Sequence, residues 1–387
     1  MRRLFLHIGA HKTGTTALQQ GLHHNRILLQ ALGCGYASAA TAAHLHGYLG
    51  AVTPGRFLPQ GFMVLDPDGL SARLAAAKTD TVVASSENFS FFFQKPTIAA
   101  LAETLRPQFD QIRIIAYLRR QDRHAVSHHQ EGAKPHRQVE GELWGHAPNA
   151  LPDPSPAHDL YLDYGQRLGL WADVFGDDAM DIRVYDRKLL KDGDIFADFL
   201  ALLKYEVRGL QSIGDQNVSL GAAQTKAGHL MNSIGIKPRI ADAILNRIPS
   251  DGRLLPSKAQ AQAFMDRYVD GNRALNHRFK ITAEPDLFST DFSDYPDTAQ
   301  SDWTEPGASA AILSVLGQLN DVDPVFAALT ADDLRTAATA LQTTNPDMAL
   351  RLITVAQTLR PTGPAILRLK AQLERQAEAA AQTQTAP

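Results

Sequence analysis

Leu4-Phe5-Leu6-His7-Ile8-Gly9-Ala10-His11-Lys12-Thr13-Gly14-Thr15-Thr16 opens with an apolar run, passes through a glycine-bounded turn and enters a helical pattern. Residues 4–8 read as a buried strand and 15–30 as a helix, so the turn joins a strand end to a helix start. Such a turn aims backbone N–H groups and the positive end of a helix at an anion. It is not the nucleotide triphosphate loop Gly-x4-Gly-Lys-Ser/Thr. Thr15 stands where that motif needs lysine, and Lys12 lies two residues before the second glycine. No well-placed strand-terminal aspartate offers itself to magnesium, so the loop suits a phosphate that needs no metal.

Strand-like and helical stretches alternate outward from this turn. Residues 81–85, 112–118 and 180–185 read as strands, and 97–105, 122–131, 160–175 and 195–203 as helices. That alternation predicts a three-layer α/β/α fold around a central parallel sheet, with a P-loop-like anion loop after its first strand. Periodicity disappears over 132–156, where proline, histidine and glycine dominate, and this reads as a functional loop insertion. Residues 220–279 are helical, broken at Pro238 and between Pro249 and Pro256, and 284–306 form an extended segment that ends a domain set at 1–305.

The chain changes character from residue 309. Thr330, followed by Asp332 and Asp333, reads as a helix cap, with helices over 334–342, 348–359 and 364–380. Residues 345–361 resemble part of a tetratricopeptide unit. One unit leaves a face uncovered, so 309–380 is expected to pack on the main domain or on a protein partner. Residues 381–387 read as a disordered tail.

Composition bounds the possibilities. With 387 residues, 44% hydrophobic and 20% charged, the chain can bury the core of one large domain plus an appendage. A net charge of -3 gives no basic field, so nucleic acid is not an expected partner and any anionic ligand needs a local cluster of donors. The single cysteine, Cys34, allows neither an internal disulfide nor a metal site built from thiols, which fits a reducing compartment. The first residues lack a signal h-region and no apolar run is long enough to span a bilayer. A cytoplasmic protein without a transmembrane segment is expected.

The run from Leu6 to Gln19 resembles the 5'-phosphosulfate loop of the bacterial sulfotransferase family, whose co-substrate is 3'-phosphoadenosine-5'-phosphosulfate (PAPS) and whose product is the desulfated nucleotide PAP. The resemblance implies that Lys12 contacts the oxygen bridging phosphate and sulfate. It also implies that His11, Thr13, Gly14, Thr15 and Thr16 line the 5'-phosphate with the loop amides. An ammonium beside the departing phosphate neutralises charge that develops as the S–O bond breaks.

PAPS carries a 3'-phosphate, so a second anion site is required. The family places an arginine at a strand end and a serine eight residues later, and Arg119 and Ser127 match that spacing. Arginine suits a bidentate contact to phosphate. The Arg-Lys-Gly loop of eukaryotic members is absent, which leaves a third contact unassigned. Further likeness lies in Tyr164-Gly165 to Trp171, Phe175-Gly176, Ile182 to Tyr185, Asp198-Phe199-Leu200 and Asn217-Val218-Ser219, where Ser219 is equally a plain helix cap. The likeness is good over 1–205, fainter to 305 and absent beyond.

Transfer also needs a group to take the acceptor's proton. Glu87, in Ser85-Ser86-Glu87-Asn88-Phe89 at the end of the second strand, is the first candidate, and a Ser-Ser-Glu element recurs in the family. A cap or an ion pair is its structural rival. His11 is the second candidate for base. His44 and His46 resemble a histidine pair on the acceptor side of many relatives, although two histidines on a surface helix are common. Phe89, Phe91, Phe92 and Phe93 suit either a sugar-stacking wall or the core. The sequence therefore predicts a metal-independent sulfotransferase acting on a hydroxyl of a sugar or glycan. A P-loop-type kinase and a non-catalytic PAP- or glycan-binding scaffold are the alternatives.

Overall fold

Every residue of Thr81–Ser85 is buried, as a strand covered on both faces must be. The computed structural model describes residues 1–38, 44–135, 137–206, 209–212, 220–301, 304–313, 315 and 330–384, and the chain divides into the units Met1–Gly307 and Ala308–Pro387. The strands of the first unit are β1 (Arg3–His7), β2 (Cys34–Ala37), β3 (Leu49–Ala51), β4 (Phe62–Val64), β5 (Thr81–Ser85), β6 (Gln111–Leu118) and β7 (Met180–Val184). Five of them form one sheet in the order β2-β5-β1-β6-β7, and every pairing in it is parallel. β3 and β4 make a separate antiparallel pair.

Side chains along β1 alternate between two cores, as the pleat dictates. Leu4 and Leu6 join Ile114, Trp171 and Leu101 on one face, and Phe5 joins Leu18, Leu22, Phe196 and Phe199 on the other. The helices supplying those layers are α1 (Thr15–His24), α2 (Arg26–Ala31), α3 (Pro67–Ala75), α4 (Lys95–Leu105), α5 (Gln121–Gly132), α6 (Gln138–Trp144), α7 (Pro156–Leu162), α8 (Tyr164–Phe175) and α9 (Ile195–Leu202). Four more follow: α10 (Ala222–Ser233), α11 (Pro238–Leu245), α12 (Lys258–Asp266) and α13 (Val269–Phe279). The three-layer α/β/α arrangement expected from the alternation of elements is the one observed.

Several local features differ from the sequence reading. The expected helix over 15–30 breaks at Asn25, whose Nδ2 donates to Gly21 O at 2.8 Å, and continues as α2. The expected helix over 160–175 breaks at Asp163, which caps α8 by accepting from Gln166 N at 2.9 Å. The insertion 132–156 is not all loop, because it carries α6. β2, the β3–β4 pair and α3 have no counterpart in the sequence reading; their strands are three or four residues long, too short to show a period. Residues 284–301 do run without helix, but Leu287, Phe288 and Tyr295 anchor them in the interior. Asn217, Ser219 and Ala43 lie outside the described residues.

The second unit holds α14 (Ala331–Leu341), α15 (Pro346–Leu359) and α16 (Pro364–Gln384). Thr330 and Asp333 form a reciprocal cap at the start of α14. Leu334, Ala338, Ala349, Ile353, Ala356, Ile366 and Leu373 close a small core among the three helices. Helix α16 runs to Gln384, through 381–384 that the sequence reading gave to a disordered tail. The run of Ala, Glu and Gln before it has high helix propensity. Among the described residues no helix is long and apolar enough to cross a membrane.

Candidate active site

The site lies at the carboxyl ends of β5, β1 and β6, which are neighbours in the sheet. His7 ends β1 in register with Ser85 on one side and Ile115 on the other. The chain continues briefly as strand: Ile8 N donates to Ile115 O at 2.9 Å, Ala10 N to Tyr117 O at 3.0 Å, and Tyr117 N to Gly9 O at 2.8 Å. It then turns, and Thr13 Oγ1 closes the turn by donating to Ala10 O at 2.6 Å. Thr15 and Thr16 open α1 directly behind Gly14, so the first amides of that helix face the turn.

Two glycines are required here. Gly9 has φ 95° and Gly14 has φ 74°, both in the left-handed region. A β-carbon on Gly9 would lie 3.1 Å from Glu87 Cα, and one on Gly14 would lie 2.9 Å from the Tyr185 ring. The loop is therefore in van der Waals contact with the Glu87 segment on one side and with Tyr185 on the other.

Lys12 is gripped at both ends. Its carbonyl accepts from Arg119 Nη1 at 3.2 Å, and its Nζ donates to Glu131 Oε2 at 3.1 Å. Burial lowers the Lys12 pKa below its ordinary value, against the opposing pull of Glu131. Glu131 also accepts from Lys134 at 2.9 Å and from Arg137 at 3.0 Å. Burial alone would raise its carboxyl, but the Lys12 charge and the Lys134 hydrogen bond outweigh that and hold it at about 2.

Glu87 follows β5 and faces the loop. Its Oε2 accepts from Gln19 Nε2 at 2.6 Å and lies 3.3 Å from His46 Nε2. Both of these partners fall on Oε2. Burial would raise this carboxyl, but the hydrogen bond and charge of His46 outweigh it and hold the group well below the ordinary carboxylate value. His44 sits edge-on to His46 with ring centroids 3.6 Å apart, so the pair stays together and only His46 reaches Glu87. Deeper in, Gln19 Nε2 also donates to Ser85 Oγ at 3.2 Å, and His7 Nδ1 is 2.8 Å from the same hydroxyl.

His11 is turned behind the loop. Its backbone N–H donates to Tyr161 Oη at 3.1 Å, and its Nδ1 lies 2.9 Å from Tyr161 Oη and 3.1 Å from Ser90 Oγ. The ring stacks on Phe91 at 4.4 Å and on His128 at 4.9 Å. Burial lowers its pKa to about 3, so the imidazole is neutral near pH 7. With its amide already engaged, His11 is packed against the interior and is no part of the anion-facing row of amides. Phe89, Phe91 and Phe92 are fully buried and belong to the core, not to an open stacking wall.

Arg119 directly follows β6 beside the loop, and Tyr164 Oη donates to its carbonyl at 2.8 Å. Ser127 follows two turns along α5 and is partly exposed. The other two arginines of the cluster point elsewhere. Arg120 pairs with buried Asp122 at 2.8 Å and stacks over Phe292, and Arg123 pairs with Asp294. Those two hold the 284–301 segment, and Arg119 alone of the three faces Lys12.

Gln19, Ser90, Glu131, Tyr161 and Tyr185 were not singled out from the sequence as site residues. Gln19 had a readable signal, since it lies one turn into α1 on the face of Thr15. The others arrive from distant elements and carry no local mark. Together the parts set the loop amides, a lysine and an arginine against the Glu87 carboxylate.

The chain is thus an α/β protein with a glycine-bounded strand-to-helix loop at the carboxyl ends of a parallel sheet. Its structure is similar to the crystal structure of a sulfotransferase from Alicyclobacillus acidocaldarius, with a TM-score of 0.39 at 16% sequence identity, over 72% of this chain and 97% of that one. No protein-family model and no curated protein matches the sequence.

Proposed function

We propose that this protein is a PAPS-dependent sulfotransferase whose acceptor is a hydroxyl, of a sugar by the resemblance of its loop. The observation that carries the reading is the contact between the lysine-bearing loop and the carboxylate segment: Gly9 packs directly on Glu87, and Lys12 follows in the same turn. Bound in the site, the co-substrate supplies an activated sulfonyl group and a phosphate leaving group.

In this reading the loop amides with Gly14, Thr15 and Thr16 hold the 5'-phosphate, and Arg119 with Ser127 holds the 3'-phosphate. Thr13 has spent its hydroxyl proton on Ala10 O, so it shapes the turn and contributes through its amide. Lys12 leaves Glu131 to neutralise the departing phosphate oxygen as the S–O bond breaks. Glu87 Oε1 accepts the acceptor's hydroxyl proton while the new O–S bond forms, and Gln19 and His46 keep the carboxylate aimed and ionised. A carboxylate held this low is a weak base, and it suffices because the hydroxyl proton becomes strongly acidic only as the O–S bond forms. Glu87 is preferred over His11 because His11 is packed behind the loop.

The test is calorimetric titration with PAP, with AMP, and with ATP and magnesium. PAP binding in clear preference to AMP supports both anion sites. A preference for ATP with magnesium overturns the reading in favour of a kinase.

A further inference from the structure

Helices α10 and α11 meet in a turn that reads Ser233-Ile234-Gly235-Ile236-Lys237-Pro238-Arg239-Ile240. Gly235 takes φ 69°, its N–H donates to Asn232 O at 3.1 Å, and the Ile236 N–H donates to Met231 O at 3.0 Å. Those two bonds are the left-handed helix end that glycine favours, and Pro238 then opens α11. The turn satisfies its own backbone, and a β-carbon on Gly235 would meet nothing within 4 Å.

The apolar side chains of this turn face solvent. Ile234 is 74% exposed, Ile240 51%, and Leu230, one turn before Ile234 on the same side of α10, 47%. Packing against the interior is left to Met231, Ala241 and Leu245, which are buried. Large aliphatics grouped on a surface, and not used by the core, mark a place of contact.

The charge around them has one sign. Lys237 and Arg239 are exposed, and neither has an ion-pair partner among the described residues. No carboxylate occurs in the sequence between Asp215 and Asp242, although the whole chain has a net charge of -3. The complement of this turn is therefore a surface that is apolar and negative at once. An anionic bilayer offers both in one layer, headgroups to the cations and the acyl boundary to the aliphatics, and it demands no shaped pocket.

We propose that the α10–α11 turn docks on an anionic lipid bilayer, with Leu230, Ile234 and Ile240 entering the interface and Lys237 and Arg239 on the headgroups. Asn232 Nδ2 donates to Gly132 O at 2.9 Å, so docking holds the end of α5 that carries Glu131 beside the lipid. The inference goes beyond the sulfotransferase reading and does not depend on it.

The experiment is co-sedimentation of the full chain with vesicles of phosphatidylcholine alone and of phosphatidylcholine mixed with phosphatidylglycerol. The mixed vesicles are expected to bind at least about tenfold tighter, less so as salt is added. Lys237→Gln with Arg239→Gln should lose about fivefold per residue on the mixed vesicles. Ile234→Ser with Ile240→Ser should weaken that binding by about tenfold without lowering the melting temperature, because both side chains are exposed. Ile27→Ser with Leu32→Ser, which removes exposed aliphatics at α2, is the control and should change nothing.

No binding to either vesicle overturns the proposal, and equal binding to both overturns it by removing the role of the two cations. A loss in the α2 control equal to that of the turn variant also overturns it, by assigning the binding to general surface hydrophobicity. A dimer that forms without lipid and is dissolved by Ile234→Ser gives the turn to a second copy of the chain instead.

Discussion

Gln19 Nε2 donates to Glu87 Oε2 at 2.6 Å, tying the helix that follows the anion loop to the carboxylate that follows β5. The bond sets the carboxylate's orientation relative to the loop, because Gln19 is itself anchored by Ser85 Oγ. Gln19→Ala is expected to slow release of PAP from PAPS by about 10- to 100-fold through misorientation, with PAP affinity retained. An unchanged rate in a folded variant would show that Glu87 needs no such support.

Lys12 is the only lysine of the loop, and burial already lowers its pKa. Removing an electrostatic stabiliser of a developing charge costs about 10²- to 10³-fold in rate. Lys12→Met should show a loss of that size in PAP release at saturating PAPS. A change confined to KM would mean that Lys12 contributes only ground-state binding.

Arg119 is the arginine of its cluster that faces the loop. A charge-assisted contact to a 3'-phosphate is worth about 1.5–3 kcal/mol, or tenfold and more in affinity. Arg119→Ala should weaken PAP by that amount and leave AMP nearly unaffected, which competition binding can read. If both nucleotides weaken equally, Arg119 is not the 3'-phosphate residue.

The fold should be sensitive to mild acid. Burial lowers the pKa of His7, His129 and His158 from 6.5 to about 4. Between those values the unfolded chain binds protons that the folded one does not, so the stability contribution is full above about pH 6.5 and is lost as pH falls toward 4. The urea midpoint should therefore drop steadily from about pH 7 to about pH 5. A flat profile over that window would contradict the neutral, buried state of these imidazoles.

Asp198 is 1% exposed and accepts from Tyr117 Oη at 2.7 Å, from Arg183 Nε at 2.6 Å and from Lys191 N at 3.1 Å. Asp198→Ala leaves those donors without their acceptor and should cost about 3 kcal/mol of unfolding free energy. Arg183 is partly exposed and can find water, so Arg183→Ala should cost less. Chemical denaturation of the two variants gives the comparison.

Of the segment 381–387 read as a disordered tail, residues 381–384 continue α16, a stretch of good intrinsic helix propensity, and 385–387 lie outside the described residues. The strands β2, β3 and β4 were missed because three or four residues cannot display a period. His11 was read as facing the anion because its neighbours in sequence do. Its partners Tyr161, Phe91 and His128 come from α7, the turn after β5, and α5.

Local chemistry fixed the anion loop: an apolar strand, glycines where φ turns positive, and a helix opened by two threonines all lie within one short stretch. The order of strands and helices likewise fixed the parallel α/β class, because parallel neighbours must be joined by crossovers. What meets that loop was decided only by the tertiary structure. Glu87 is brought to Gly9, and Arg119 and Glu131 to Lys12, by crossovers through the layers of the sheet. Parallel pairing places residues side by side that the chain keeps dozens of positions apart, so their contact depends on strand order and register, which no local pattern encodes.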